Sequence, residues 1–239
     1  MIQFQNVHKQ FDKLKVLKDV NLKLESGNII ALIGANASGK TTLIKTLLGM
    51  VIPTSGEIYF KDNLINQAWE YRKDIGYMPQ IGKYPENMTV RQVIEMVEDL
   101  RANEHIQLDK ELFDKYDLKS ILNKRMNTLS GGTRQKVSAY IAFLFNPDVL
   151  ILDEPTAGLD PISSMILKEK ILKEKENGKL ILITSHILSE LDEIVNQIVY
   201  LEEGRIIFNK PLEQLKKDTN KTKLSEAIAY VMSEELNKN

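Results

Sequence analysis

The sequence has no cysteine among its 239 residues. This absence excludes a disulfide framework, a zinc ribbon, a thiol nucleophile and an iron–sulfur cluster. It leaves the redox compartment open, although it suits the cytosol. A chain of this length buries a full core as a single α/β domain, so it needs no covalent or metal crosslink to stay folded.

An excess of charge of one sign is also lacking, because 32 Lys and Arg stand against 33 Asp and Glu. A duplex-binding domain usually gathers positive charge on one face, so nucleic acid is not the expected partner. Long apolar runs are missing too. Those at 29–33, 149–152 and 180–183 are strand-sized, far short of the ~20 residues of a spanning helix. The first residues lack a signal-peptide pattern, which predicts a cytoplasmic protein that reaches a membrane only through a partner.

Strand and helix patterns alternate in the sequence. Residues 28–33 form a continuous apolar run before Gly34, typical of a strand buried on both faces, and a helical pattern follows at 39–48. Similar units begin at 149 and 180. They predict an α/β fold with a mostly parallel sheet, preceded by half-buried antiparallel strands at 2–7 and 16–24.

Helical periodicity dominates between residues 89 and 145, where we predict a helical subdomain. Thr89 is the expected N-cap of its first helix. One apolar stripe of that helix comprises Val90, Val93, Ile94, Val97 and Leu100. The α/β core is then expected at 1–88 and 146–210, with a helical tail at 211–239 that packs through Leu224, Ile228, Val231 and Leu236. The charges at 168–177 alternate in sign, which predicts a solvated helix face.

Residues 34–41 read Gly-Ala-Asn-Ala-Ser-Gly-Lys-Thr, the pattern of a phosphate-binding loop between a strand and a helix. Backbone N–H groups and the helix N-terminus suit phosphate, and Lys40 suits the β- and γ-phosphates. We therefore predict a P-loop NTPase core whose loop binds ATP. The expected ATP contacts are Gly34, Ala35, Asn36, Ala37, Ser38, Gly39, Lys40, Thr41 and Thr42, with the Thr41 hydroxyl on Mg²⁺.

Two acids end the apolar run at 149–152. Because a parallel strand would carry them to the edge of the sheet where the phosphate loop lies, Asp153 is expected to hold Mg²⁺ through water. Glu154 is then expected to face the γ-phosphate as the catalytic carboxylate.

Residues 129–135, Leu-Ser-Gly-Gly-Thr-Arg-Gln, complete a set of motifs that resembles the nucleotide-binding subunits of ABC transporters. The resemblance runs in order through nearly the whole chain and implies the ABC ATPase fold. It also implies that Ser130, Gly131 and Gly132 close over ATP bound to a second subunit. A hydroxyl and exposed amides at a helix start suit an anion.

Further roles follow from the same resemblance. Phe11 would stack on adenine with Val16 nearby, although an aromatic residue there suits a core equally well. Gln80 would contact Mg²⁺ and the attacking water, Asp160 would cross the dimer interface, and His186 would contact the γ-phosphate. Ala35, Ala37 and Thr133 stand where the family most often has Pro, Gly and Gln. The two alanines leave the loop pattern intact, whereas Thr133 lacks the reach of an amide, so coupling across the dimer is expected to differ in strength.

The implied function is ATP hydrolysis that energises transport, with Glu154, His186, Lys40 and Gln80 as the catalytic residues. The implied partners are a second copy of the chain or a similar ATPase, and an integral membrane permease that holds the chain at the inner face of the cell membrane. Alternatives are a soluble ABC ATPase that acts on ribosomes or DNA, and a small-substrate P-loop kinase. We weigh the transporter above both, because the chain has one cassette without a long coiled coil and also carries the signature and His186.

The cargo is predicted from a narrower resemblance. Segments 129–145, 184–190 and 222–228 look like the ATPase of the copper-processing system that matures nitrous oxide reductase. Drug, polysaccharide and sodium exporter ATPases remain alternatives because they share the same cassette. With no Cys and scattered Met and His, the chain is expected to leave metal handling to its partners.

Overall fold

A computed structural model describes residues 1–65, 68–102, 104 and 106–236. The chain divides into two compact units, Met1–Arg72 with Leu180–Asn239 and Lys73–Lys179. The last three residues of the predicted tail, 237–239, lie outside the described residues. No helix in the described part of the chain is both long and apolar enough to span a bilayer.

The first unit carries an antiparallel sheet and a set of mostly parallel strands. The antiparallel sheet has the order β2-β1-β4-β5. Its strands, with the others of this unit, are β1 (Ile2–Phe11), β2 (Leu14–Leu24), β3 (Ile29–Ile33), β4 (Ser55–Phe60), β5 (Asn63–Leu64), β8 (Leu180–Thr184), β9 (Gln197–Glu202) and β10 (Arg205–Pro211). Buried Ile2 and Phe4 alternate with half-buried positions along β1, as a half-buried strand requires, and Val7 is buried beyond a register shift in the pairing with β2.

Strand β3 lies between β8 and β9 and is parallel to both, while β10 pairs antiparallel with β9. All five residues of β3 and all five of β8 are buried, in agreement with their continuous apolar sequence. The α-helices among the described residues of this unit are α1 (Lys40–Leu47), α6 (Leu188–Asp192), α7 (Leu212–Thr219) and α8 (Leu224–Leu236). In the predicted tail, Leu224 and Ile228 are buried and Val231 is half-buried.

The second unit combines the parallel strand pair β6 (Ile75–Met78) and β7 (Val149–Asp153) with the helical insertion. Its helices are α2 (Val90–Asp99), α3 (Glu111–Lys115), α4 (Gly131–Phe143) and α5 (Pro161–Glu176). Strand β6 packs closely on α4, since a Cβ on Gly76 would overlap the carbonyl oxygen of Ala142. The predicted α/β class, with an antiparallel β subdomain, a mostly parallel set of strands and a helical insertion, is confirmed.

Helix α2 begins where its sequence predicts. The Thr89 hydroxyl accepts from the Gln92 N–H at 3.2 Å, and the Gln92 side chain accepts from the Thr89 N–H, which completes a capping box. The predicted stripe is wrong at one position, because Leu100 is 79% exposed. The helix ends at Asp99, so Leu100 lies on the C-cap, off the buried face.

The predicted solvated face at 168–177 is wrong at Lys170 and Glu174, which are each only 2% exposed. Lys170 pairs with Glu174 at 2.7 Å, with Glu111 at 3.0 Å and with Asp109. Lys179 forms a second ion pair with Glu174. Lys173 adds a further ammonium group, 2.8 Å from Glu111, so ammonium groups face all three carboxylates and burial does not leave an isolated charge.

Candidate functional site

The predicted phosphate loop connects β3 to α1 in a tight turn. Gly34 lies so close to strand β9 that a Cβ there would overlap the carbonyl oxygen of Leu201. Ala37 and Gly39 adopt left-handed φ angles of 63° and 109°. Asn36, like the two alanines that flank it, is exposed. The close approach at Gly34 and the left-handed residues curve the backbone of the loop toward the start of α1.

Lys40 is the first residue of α1, and its side chain folds back over the loop. Its Nζ donates to the carbonyl oxygens of Gly34 at 2.6 Å and Ala35 at 2.9 Å. The first turn of α1 carries no acidic residue, so no side chain of that turn repels an anion at the helix N-terminus. Thr41 is exposed at the same end, and Thr42 is half-buried.

The side chain of Ser38 bears on whether the loop can bind a phosphate. Its Oγ is buried and finds no hydrogen-bond partner among the described residues. Its carbonyl oxygen accepts from the Gly204 N–H at 2.9 Å, so the turn between β9 and β10 braces the loop from behind. A buried hydroxyl, the Lys40 ammonium and a helix N-terminus fit the oxygens of a bound polyphosphate.

Phe11 and Val16 lie on either side of the turn that joins β1 to β2. Phe11 ends β1 and is 45% exposed, so it is not part of the core. The Val16 carbonyl oxygen lies beside the loop, 3.0 Å from where a Cβ of Gly39 would be. Strand β2 thus ties the Phe11 turn to the phosphate loop. His186 follows β8 and is exposed; the Ser185 hydroxyl before it accepts from the Ile187 N–H at 3.0 Å.

The second unit brings Gln80, Asp153 and Glu154 to one edge of the β6–β7 pair. Met78 lies beside Leu152 in the parallel register, so both strands end at the same edge. Burial and the nearby Asp153 charge raise the pKa of Tyr77. Glu154 has a left-handed φ of 50°, a strained conformation for a residue with a Cβ and one that is typical of functional turns.

The signature residues form the N-terminus of α4. Ser130 is the N-cap, and its Oγ accepts from the Thr133 N–H at 3.2 Å. The Thr133 hydroxyl lies 2.8 Å from the same Oγ. The threonine that replaces the usual glutamine therefore shares a hydrogen bond with the serine expected to contact phosphate. Gly131 has open space where a Cβ would be.

Helix α4 packs directly on the turn that carries Gly158 and Asp160. A Cβ on Gly132 would overlap the Gly158 carbonyl oxygen, so glycine is required for this close approach. Lys136, one turn further along α4, pairs with Asp160 at 2.9 Å. Between them, Gln135 Nε2 lies 3.4 Å from the Glu154 carbonyl oxygen.

Asp160 is itself the N-cap of α5. Its two carboxylate oxygens accept from the Ser163 N–H at 2.9 Å and the Ser163 hydroxyl at 2.7 Å. The hydrogen bond from Lys136 and those from Ser163 hold the pKa of Asp160 well below its usual range. Asp160 is therefore ionised at neutral pH and fixed to α4.

Sequence reasoning missed Lys136, although it lies five residues after the signature glycine Gly131. The structure brings Lys136 to Asp160, whereas no spacing rule relates residues 24 positions apart in different elements. Within the first unit, the loop and Val16 come together. Within the second, the signature turn and Asp160 come together, and Gln80 follows β6 at the edge where Asp153 ends β7.

The pattern that defines the ABC transporter family matches residues 17–157. The chain is also similar to the lantibiotic transport ATP-binding protein SrtF of Streptococcus pyogenes. The two are 36% identical over 214 residues, which cover 88% of this chain and 90% of that protein.

Two solved structures share the fold. The structure of an ATP-binding subunit of an ABC transporter superposes with a TM-score of 0.90 at 26% identity, over 97% of this chain and 99% of that one. A dimeric ATP-binding cassette in a post-hydrolysis state, bound to ADP and Pi, superposes with a TM-score of 0.78. It is 24% identical over 89% of this chain and 99% of its own.

Proposed function

This chain belongs to the ABC transporter family as an ATP-binding subunit with ATPase activity, and on that premise we propose that it energises transport as a nucleotide-sandwich dimer beneath a membrane permease. Each nucleotide would lie between the phosphate loop of one subunit and the signature helix of the other. The observation that carries the proposal is that one chain presents two helix starts whose first turn has no acidic residue and therefore suits an anion, at Lys40 on α1 and at Ser130 on α4. If each subunit binds its nucleotide through one helix start of its own chain, the other helix start is available for the nucleotide of the partner.

In the proposed ATP site, the loop amides and Lys40 bind the β- and γ-phosphates. Lys40 would exchange its bonds with the Gly34 and Ala35 carbonyl oxygens for bonds with phosphate oxygens. The Ser38 hydroxyl would gain a partner at the same time. The base would stack on the exposed ring of Phe11, near Val16. With these bonds to phosphate formed, the loop amides and Lys40 would stabilise charge on the transferred phosphoryl group.

The expected metal ligands are Thr41, Asp153 and Gln80. All three supply oxygen atoms, which is the donor type that Mg²⁺ prefers. When bound, Mg²⁺ neutralises the negative charge of the β- and γ-phosphates. Asp153 ends strand β7, whose other four residues are buried, so the core fixes the backbone position of Asp153.

For hydrolysis, we assign Glu154 to orient and deprotonate the attacking water, with Gln80 beside it and His186 on the γ-phosphate. The strained backbone at Glu154 favours this assignment, because the turn fixes where its carboxylate points. The contacts of Gly132 and Lys136 with the turn at 158–160 join the signature helix to that turn, so we expect the two to move together. Closure on the partner's nucleotide would then displace Asp160 together with Ser130.

The transport role is tested by purifying the tagged chain from detergent-solubilised membranes of its own cells. We expect an integral membrane protein to co-purify, because no described helix of this chain can span a bilayer itself. ATPase activity should be present in that complex and absent from the same complex carrying Lys40→Ala. Recovery of the chain with ribosomes, or alone in every extract, would favour the soluble ATPase instead.

We propose that the chain serves the copper-processing system that matures nitrous oxide reductase. The support for this proposal is the likeness of segments 129–145, 184–190 and 222–228 to the ATPase of that system. A peptide is the second candidate, favoured by the name of the Streptococcus pyogenes relative. Cells without this subunit should make nitrous oxide reductase with an incomplete copper–sulfur centre. Fully metallated, active reductase in such cells would rule out the first cargo and leave the ATPase assignment intact.

A further inference from the structure

Lys9 lies over the ring of Phe11, with its Nζ 4.7 Å from the ring centroid. The two residues are separated by one position on β1, so their side chains leave the same face of the strand. At this distance a lysine ammonium is attracted by the negative face of an aromatic ring. One face of the Phe11 ring is thus occupied by a cation of the chain itself.

Lys9 is held in this position by the segment that follows α1. Its Nζ donates to the Ile52 carbonyl oxygen at 2.8 Å. The same segment is tied to the end of β1 by two more bonds, from the Thr54 N–H to the His8 carbonyl oxygen at 2.8 Å and from the Gln10 N–H to the Thr54 hydroxyl at 3.0 Å. The ammonium is therefore anchored, although Phe11 itself is 45% exposed.

We propose that Lys9 is a positioning residue for base stacking: it fixes the Phe11 ring from one face so that the adenine of ATP stacks on the other. This inference rests on the proposed ATP site. Steric occupation of one face leaves a single stacking direction. The cation also draws ring electron density toward itself, so the opposite face repels the π electrons of a stacked purine less.

The test compares ATP binding with binding of inorganic tripolyphosphate, which has no base. Lys9→Met keeps the aliphatic side chain and removes the charge. We expect it to weaken ATP binding about two- to five-fold and to leave tripolyphosphate binding unchanged. Lys13→Met is the matched control, since Lys13 is an exposed lysine in the turn directly after Phe11. Lys13→Met should weaken the binding of neither ligand by that amount. Lys9→Arg, which keeps the positive charge, should bind ATP as the wild-type chain does.

A double-mutant cycle separates positioning from general electrostatics. Introduced into Phe11→Ala, Lys9→Met should have no further effect on ATP binding, because the ring through which it acts is gone. An undiminished effect in that background, or equal weakening of ATP and tripolyphosphate, would overturn the inference. So would wild-type ATP affinity in Phe11→Ala, in which case the phosphate site would still stand. A wild-type chain that bound neither ligand would contradict the proposed function itself.

Discussion

Glu154→Gln is expected to reduce steady-state ATP hydrolysis by about 10²- to 10⁴-fold, the usual contribution of a general base. The amide has the size of the carboxylate but does not accept the proton of the attacking water. The contact of Gln135 with residue 154 uses its main-chain carbonyl, so the substitution leaves it in place. Binding of MgATP should therefore be retained. Phosphate release and nucleotide titration measure the two effects separately.

The same variant should accumulate as an ATP-bound dimer, because we propose that reopening depends on hydrolysis. Light scattering with and without MgATP measures this directly. Glu203→Gln is the matched control, since Glu203 also has a left-handed φ, of 43°, in an exposed turn and is given no role in the chemistry. It should hydrolyse ATP normally. A Glu154→Gln protein that stays monomeric and turns over at the wild-type rate would show that the carboxylate is not the catalytic one.

Much of the fold was predictable because local sequence and tertiary burial agree. The apolar runs at 29–33 and 180–183 lie in β3 and β8, since a strand buried on both faces has no polar position to interrupt such a run. Thr89 was predictable as a cap because the capping box is local, within three residues. The phosphate loop was predictable for the same reason: its pattern, strand and helix are contiguous in the sequence.

The rest depended on partners far away in the sequence. Lys170 lies among alternating charges that resemble a solvated helix, and two of the three carboxylates that pair with it, Asp109 and Glu111, come about 60 residues earlier. At the signature, the sequence identified Ser130 and Asp160 separately. It did not reveal that Lys136, on the helix that Ser130 caps, pairs with Asp160, because an ion pair between two elements leaves no periodic pattern.

Lys40→Ala should weaken ATP binding by roughly 30- to 4000-fold, the range expected when one partner of a desolvated charge pair is removed. The loss is large because the phosphates would be left facing a loop without its ammonium group. Fluorescent nucleotide titration measures the affinity, and phosphate release should fall with it at fixed ATP. In the absence of nucleotide, Lys40→Ala removes the bonds of Nζ to the Gly34 and Ala35 carbonyl oxygens, and we expect the fold to be retained.

Lys45→Ala provides the control, because Lys45 is an exposed lysine in the last turn of the same helix α1. It changes net charge by the same amount but lies at the opposite end of the helix from the loop. If ATP binding depends on charge near the loop, only Lys40→Ala should lose ATP binding. Both variants should unfold at similar temperatures. Wild-type hydrolysis by Lys40→Ala would contradict the assignment of this loop, while equal losses in both variants would point to net charge as the cause.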